Sequence, residues 1–219
     1  MRILHISDTH SKFPELKGNF DVVVHSGDWL PDYAVNIDQY AINQETWVYT
    51  KAAEIKKWLN GKPFFLSQGN HDFANPNAVE YILRSEGIEA YNIENKIVSY
   101  QGTNFYGFPY VPTINGEFNY EKDEQEMFLA TDELAETLNK TYIDVLVAHC
   151  PIYGVLSTSS FSLENYGNQD MKRIFEYKVS KDMIPSAYLC GHLHSCYGIK
   201  NYYGMLVSNA ACTQHIISL

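Results

Sequence analysis

Five short polar patches constrain this chain more than any other feature, because most of them end an apolar run and together they hold seven potential metal ligands. They read DTH at 8–10, SGD at 26–28, GNHD at 69–72, AHCP at 148–151 and GHLH at 191–194, and they supply Asp8, His10, Asp28, Asn70, His149, His192 and His194. A fold that aligns the ends of its strands at one cleft gathers all seven, and strand ends are the usual place for ligand sites in open α/β sheets. RILHIS before the first patch and SAYLC before the last read as short buried strands. On extended backbone, residues i and i+2 face the same side. Asp8 and His10 are therefore expected to aim at one ion, and His192 and His194 to form a second such pair. Gly27, Gly69 and Gly191 mark exits where the backbone must turn tightly.

The seven side chains are two carboxylates, four imidazoles and one amide. Such mixed oxygen and nitrogen donors, without thiolates, suit Mn²⁺, Fe or Zn²⁺ better than Ca²⁺ or Cu(I). A pair of divalent ions brings more positive charge than two carboxylates and a bridging hydroxide remove, so the cluster attracts an anion such as a phosphate ester. Taken singly, each residue has an ordinary structural reading, since Asp caps turns and helices and His packs half-buried. The weight lies in the ordered set, and within it GNHD and GHLH are the most specific. His5, His25 and His215 lie in strand-like segments and read as structural. Cys150, Cys190, Cys196 and Cys212 show no CxxC spacing and no nucleophile context, so reduced thiols are expected and cysteine catalysis is not.

The five patches in this order resemble the calcineurin-like metallophosphoesterase superfamily, over nearly the whole chain. The resemblance implies a four-layer α/β/β/α sandwich of two mixed β-sheets flanked by helices. It also implies that Asp28 bridges two ions, that Asp8, His10 and His194 complete one, and that Asn70, His149 and His192 complete the other. Attack on phosphorus would come in line from a metal-bridging hydroxide. His71 resembles the family's catalytic histidine, which would stabilise the transition state or protonate the departing alkoxide, and Asp72 is expected to be its partner, because a carboxylate beside an imidazole orients the ring. Mn²⁺ is the expected metal, with Fe or Zn²⁺ as alternatives. GDWLPDY lacks the Arg of the GDxxDRG pattern of protein phosphatases, so the chain looks like the compact bacterial or phage-type phosphodiesterases instead. GHLHSCYG followed by VSNAA is similar to the branch acting on cyclic nucleotides or related small diesters. A phosphomonoesterase, a nuclease, and a non-catalytic scaffold of the same fold are the alternatives. Scaffolds tend to lose the catalytic histidines, and this chain keeps every candidate.

With 219 residues, 45% hydrophobic and 19% charged, the chain has the material for one domain spanning 1–219. It enters its first strand almost at Met1 and has no apolar run of membrane-spanning length, so a cytoplasmic location is expected. A net charge of −10 disfavours long nucleic acid as a partner and leaves a small phosphorylated substrate. Helical periodicity predicts a long helix over 35–59, with Ile37, Tyr40, Ala41, Trp47, Val48, Ala52, Ile55, Trp58 and Leu59 facing a sheet. A short helix opens at Pro76, and another covers about 122–139. IEAYN, NKIVSYQG and TNFYGFPYV fit an antiparallel meander. Seventeen tyrosines are many. Tyr106, Phe108, Tyr110, Phe118 and Tyr120, then Tyr153 and Phe161, are placed either to cover a sheet or to stack on a base or aryl group.

Overall fold

Apolar runs without alternation make strands that are covered on both faces, and such runs build the inner strands of both sheets here. A computed structural model describes residues 1–33, 37–159 and 163–219. In chain order the elements are β1 (Arg2–Ile6), β2 (Val22–His25), α1 (Ile37–Leu59), β3 (Phe64–Leu66), α2 (Pro76–Ser85), β4 (Ala90–Asn92), β5 (Ile97–Tyr100) and β6 (Thr103–Phe108). There follow β7 (Val111–Pro112), β8 (Glu121–Lys122), α3 (Glu124–Lys140), β9 (Val145–Ala148), α4 (Gln169–Tyr177), β10 (Ala187–Cys190), β11 (Gly198–Tyr202), β12 (Met205–Asn209) and β13 (Gln214–Ser218). One sheet has the order β13-β1-β2-β3-β4, the other β11-β12-β10-β9-β6-β5, and β7 pairs with β8 apart from both.

Alternation along each strand divides the apolar side chains among three layers. Leu4, Ile6, Val23 and Phe64 face α1 and α2, packing on Val48, Ile55, Leu59, Val79 and Leu83. Their neighbours Ile3, Val22, Val24 and Phe65 face the other sheet, meeting Phe105, Val145, Val147 and Leu189. On the far side, Leu146, Tyr188 and Val207 pack under Met127, Leu134 and Leu138 of α3 and Met171, Ile174 and Phe175 of α4. The result is the four-layer α/β/β/α sandwich.

The helices follow their caps. Pro76 opens α2 behind Asn75, whose side chain accepts from the amides of Asn77 and Ala78. Asp123 and Glu126 form a reciprocal capping box at the start of α3. Trp47 and Trp58 of α1 enclose Phe13, at ring distances of 5.8 and 5.3 Å, whereas Val35 lies outside the described residues. Helix α4 was not among the expected elements, although Asn168 caps it and Met171, Ile174 and Phe175 have helical spacing. The meander needs correction. Strand β4 pairs parallel with β3 in the first sheet, while β5 and β6 form an antiparallel hairpin in the second. The reason is burial: Ala90 belongs to the core beneath α2, so β3, α2 and β4 form a crossover unit rather than part of a hairpin. Among the described residues no helix is long and apolar enough to cross a membrane.

Candidate metal centre

The turns after β1, β2 and β3 carry Asp8 and His10, Asp28, and Asn70 with His71; those after β9 and β10 carry His149, His192 and His194. Polar bonds join the two sets across the sheets. The amide of His192 donates to both Asp8 carboxylate oxygens at 3.1 and 3.0 Å. Nδ1 of His149 donates to the Ser26 carbonyl at 2.8 Å. The expected residues give two candidate ligand groups, Asp8 with His10 and His194, and Asp28 with His149 and His192, each with its donor atoms within 4.8 Å of one another; His10 with Asp32 and His71 makes a third such group. Asn70 Oδ1 adjoins the second group, 3.1 Å from His149 Nε2.

The expected pairing of His192 with His194 does not occur, since they face different groups. The backbone is not extended there: φ is 68° at His192, 54° at Asp8, 42° at His10 and 56° at Asp28. Left-handed backbone at non-glycine residues costs about 1–3 kcal/mol each and concentrates where a site over-determines the chain. Close approach completes the cradle. A Cβ on Gly191 would collide with the side chains of Ser7 and Asp8, and one on Gly69 with Asp28 and the His149 ring.

Electrostatics test whether these residues fit a cation. Nδ1 of His149 directs its proton to a carbonyl, and Nε2 lies 3.1 Å from both Asp28 Oδ2 and Asn70 Oδ1. Two acceptors facing a ring nitrogen call for positive charge at that point. Without an ion the charge is a proton on Nε2: burial alone would lower the His149 pKa, but Asp28 and then Asp8 lift it to about 9. A cation at the same point would take the proton's place and find three donor atoms converging on it. Burial pushes Asp28 up, yet the charge and hydrogen bond of His149 hold it well below the usual carboxylate range. Burial pushes Asp8 up too, yet the His194 hydrogen bond and the His149 charge together leave it lowered. Burial and His149 push His192 down to about 4, keeping it a neutral imidazole. His10 Nδ1 lies 2.9 Å from Asp32 Oδ2, off the line of a hydrogen bond, and is buried without a hydrogen-bond partner. The donor set fits divalent cations of borderline softness. Thiols contribute nothing: Cys150 and Cys190 are buried, and burial raises Cys150 to about 12.

His71 and Asp72 do not pair. Asp72 Oδ2 accepts the amides of Asp28 at 2.8 Å and Gly69 at 3.0 Å, and Oδ1 accepts that of Leu30 at 2.9 Å. This fully buried carboxylate braces the turns, and its side chain points away from its neighbour's ring. Nδ1 of His71 instead meets Asp32 Oδ1 at 2.8 Å. Two residues that the sequence did not single out hold His71 in place. Asp32 is one. The other is Gln44 on α1, fully buried, whose Nε2 donates to the carbonyls of Pro31 at 3.1 Å and His71 at 2.8 Å. Its Oε1 accepts the amides of Phe73 at 2.6 Å and Ala74 at 3.0 Å.

The sequence profile of the calcineurin-like phosphoesterases matches residues 1–196. The chain belongs to the calcineurin-like phosphoesterase family. Membership implies metal-dependent hydrolysis of phosphoester bonds on small phosphorylated substrates, and the family typically binds two divalent ions. No curated protein sequence matches this phosphoesterase. Among solved structures, one crystal structure is 13% identical, covers 96% of this chain and 90% of its own, and superposes with a TM-score of 0.66. The crystal structure of TT1561 of Thermus thermophilus is 11% identical, with 96% and 88% coverage and a TM-score of 0.61. At such identities the likeness concerns the fold alone.

The other histidines of this phosphoesterase are tied into the sheets. His5 lies between Ser208 at 2.8 Å and Ser26 at 2.9 Å, and Ser208 also meets His215 at 2.9 Å. His25 bonds Thr9 at 3.0 Å, and burial pushes it down to about 3. Of the aromatic residues, Phe108 and Tyr106 are buried in the core, while Phe118 lies 4.8 Å from the His71 ring. Phe161 lies outside the described residues. Beside Asp8 opens a cavity of about 290 Å³, lined by Thr9, Lys12, Pro14, Cys212, Thr213 and Gln214.

Proposed function

We propose that this protein is a dinuclear phosphodiesterase, one domain over 1–219, hydrolysing small diesters such as cyclic nucleotides or related compounds in the cytoplasm. The observation that carries the reading is the convergence of His149, Asp28 and Asn70 on one point beside the Asp8, His10 and His194 group. Asp28 would bridge two ions, Mn²⁺ in the first instance and Fe or Zn²⁺ as alternatives. Asp8, His10 and His194 would hold one, and Asn70, His149 and His192 the other. When bound, such ions supply an activated water as nucleophile and neutralise charge on the phosphoryl oxygens.

The chain's own residues account for the rest. Asp32 fixes the His71 ring through Nδ1, leaving Nε2 to hand a proton to the departing oxygen. Asp72 keeps the Asp28 and Gly69 turns in register rather than exchanging protons with substrate. Lys12, exposed at the rim of the Asp8 cavity, offers a positive charge to a substrate anion. The negative net charge argues against long nucleic acid, and the intact set of candidate ligands argues against a non-catalytic scaffold. Four free cysteines agree with a reducing compartment.

Metal-stripped protein reconstituted with Mn²⁺ should be assayed in parallel on bis-nitrophenyl phosphate, nitrophenyl phosphate, cyclic nucleotides and short oligonucleotides. Diesters are expected to turn over fastest, and Asp28→Asn or His149→Ala to abolish the activity. Full activity in chelator, or in Asp28→Asn, overturns the two-ion reading. Faster turnover of the monoester or the oligonucleotides assigns the site to those substrates instead.

A further inference from the structure

Residues 118–120, between β7 and β8, are fastened one after another to the turn that carries Asn70 and His71. The Phe118 ring lies 4.8 Å from the His71 ring, centroid to centroid, at 47° between planes. Asn119 donates its amide to the Asn70 carbonyl at 3.0 Å and its Nδ2 to the Asp72 carbonyl at 2.6 Å. The Tyr120 hydroxyl meets Gln68 Oε1 at 2.8 Å and Glu94 Oε2 at 2.9 Å. An aromatic side chain on a loose loop would sample many positions. This one is held by bonds from the next two residues, and it is only partly buried, so ring surface is left for another group.

Its place relative to His71 decides what that group is. Nδ1 of His71 is engaged by Asp32, so the other ring nitrogen serves the leaving oxygen. A proton donor must come within about 3 Å of the oxygen it serves. The first atoms of the leaving group therefore emerge alongside Phe118, and a flat apolar face there favours a planar ring over a flexible alkyl chain. We propose that Phe118 forms the leaving-group subsite and selects esters whose departing alcohol carries a planar ring, a nucleobase or an aryl group. Asn119 and Tyr120 position it. The inference rests on the phosphodiesterase reading with His71 as proton donor.

Two diesters with leaving groups matched in basicity, one aryl and one alkyl, separate selection from general damage. Phe118→Ala should lower kcat/KM on the aryl ester about 5- to 20-fold and on the alkyl ester less than about 2-fold, in keeping with single-ring stacking. Phe118→Leu, which keeps bulk without an aromatic face, should resemble Phe118→Ala, while Phe118→Tyr should restore wild-type selectivity. Calorimetry on the Mn²⁺-loaded protein gives a second readout. Phenyl phosphate and adenosine 5′-monophosphate should each bind more tightly than methyl phosphate, and Phe118→Ala should close the gap; the larger of the two gaps tells an aryl group from a nucleobase. Equal losses on both esters, or none, overturn the subsite while leaving the phosphodiesterase reading standing. A wild-type protein that neither hydrolyses a diester nor binds methyl phosphate overturns both.

Discussion

At the scale of single residues, the arrangement that most needs explaining is the buried amide of Gln44, which uses both donors and its acceptor oxygen on backbone alone. Its donors hold the carbonyls of Pro31 and His71, one residue before Asp32 and at His71 itself, so Gln44 sets the spacing of the Asp32–His71 pair. Gln44→Glu keeps an acceptor for Phe73 and Ala74 but loses both donors, and Gln44→Met loses everything. Both variants are expected to slow diesters with poor alkyl leaving groups about tenfold or more, whereas nitrophenyl esters, which need little proton donation, should slow less than about threefold. His71→Ala should show the same split, approaching about 10²–10⁴-fold on the alkyl esters. Mn²⁺ affinity measured by calorimetry should be unchanged in Gln44→Glu. Equal losses on both ester types would mean that Gln44 acts only on stability. Neither Gln44 nor Asp32 was legible beforehand, for physical reasons. A polar residue on a helix reads as solvent-facing, and Gln44 is buried only because irregular backbone beneath it needs partners. Asp72 adjoins His71 in sequence, but its side chain satisfies four amides within hydrogen-bond reach, those of Asp28, Trp29, Leu30 and Gly69, which outweighs adjacency. The ligand candidates were legible because each stands on the turn that its own strand delivers.

Among the elements, the crossover from β4 to the second sheet shows what periodicity misses. IEAYN has the composition of any short strand, and only burial under α2 assigns it to the first sheet. Helix α4 was readable in principle from Asn168 and the Met171, Ile174, Phe175 spacing, but its nine residues sit between loops and give few turns to count. At the crossover itself, Glu94 accepts the Gln68 amide at 2.8 Å and bonds the Tyr120 hydroxyl, and burial lifts its carboxyl from 4.5 to about 7. The folded state thus holds this proton more tightly than the unfolded chain does. The contribution of Glu94 to stability is therefore full below pH 4.5 and falls as pH rises toward about 7, then levels off. Gln is nearly isosteric and keeps an acceptor for the Gln68 amide. Glu94→Gln is expected to remove a decline of about 1–3 kcal/mol across that window, read from urea denaturation at a series of pH values. An unchanged slope in the variant would assign the decline to other groups.

For the molecule as a whole, neither sheet carries a complete set of candidate ligands. The turns of β1, β2 and β3 give Asp8, His10, Asp28 and Asn70, and those of β9 and β10 give His149, His192 and His194. Ion binding at the proposed centre would therefore be linked to the packing of one sheet on the other, and that packing is the middle apolar layer. Phe65 is central to it, stacked on Phe105 at 4.3 Å and on Tyr91 at 4.7 Å. Leu138 of α3 is equally buried but lies in an outer layer. Phe65→Ala should cost about 3–5 kcal/mol and Leu138→Ala about 2–5 kcal/mol, so loss of stability alone does not tell them apart. Their response to metal should. A ligand that binds only the native state raises stability by an amount set by its affinity, about 4 kcal/mol at a thousand times Kd. If the middle layer holds the two halves of the centre in register, Phe65→Ala weakens Mn²⁺ binding and shrinks the rise in Tm on adding the metal. Leu138→Ala, which leaves the inter-sheet contact alone, should start from a lower Tm and gain the wild-type increment. Equal increments in the two variants would mean that the ligand turns hold their geometry without the layer beneath them, and that the link between sheet packing and ion binding is absent.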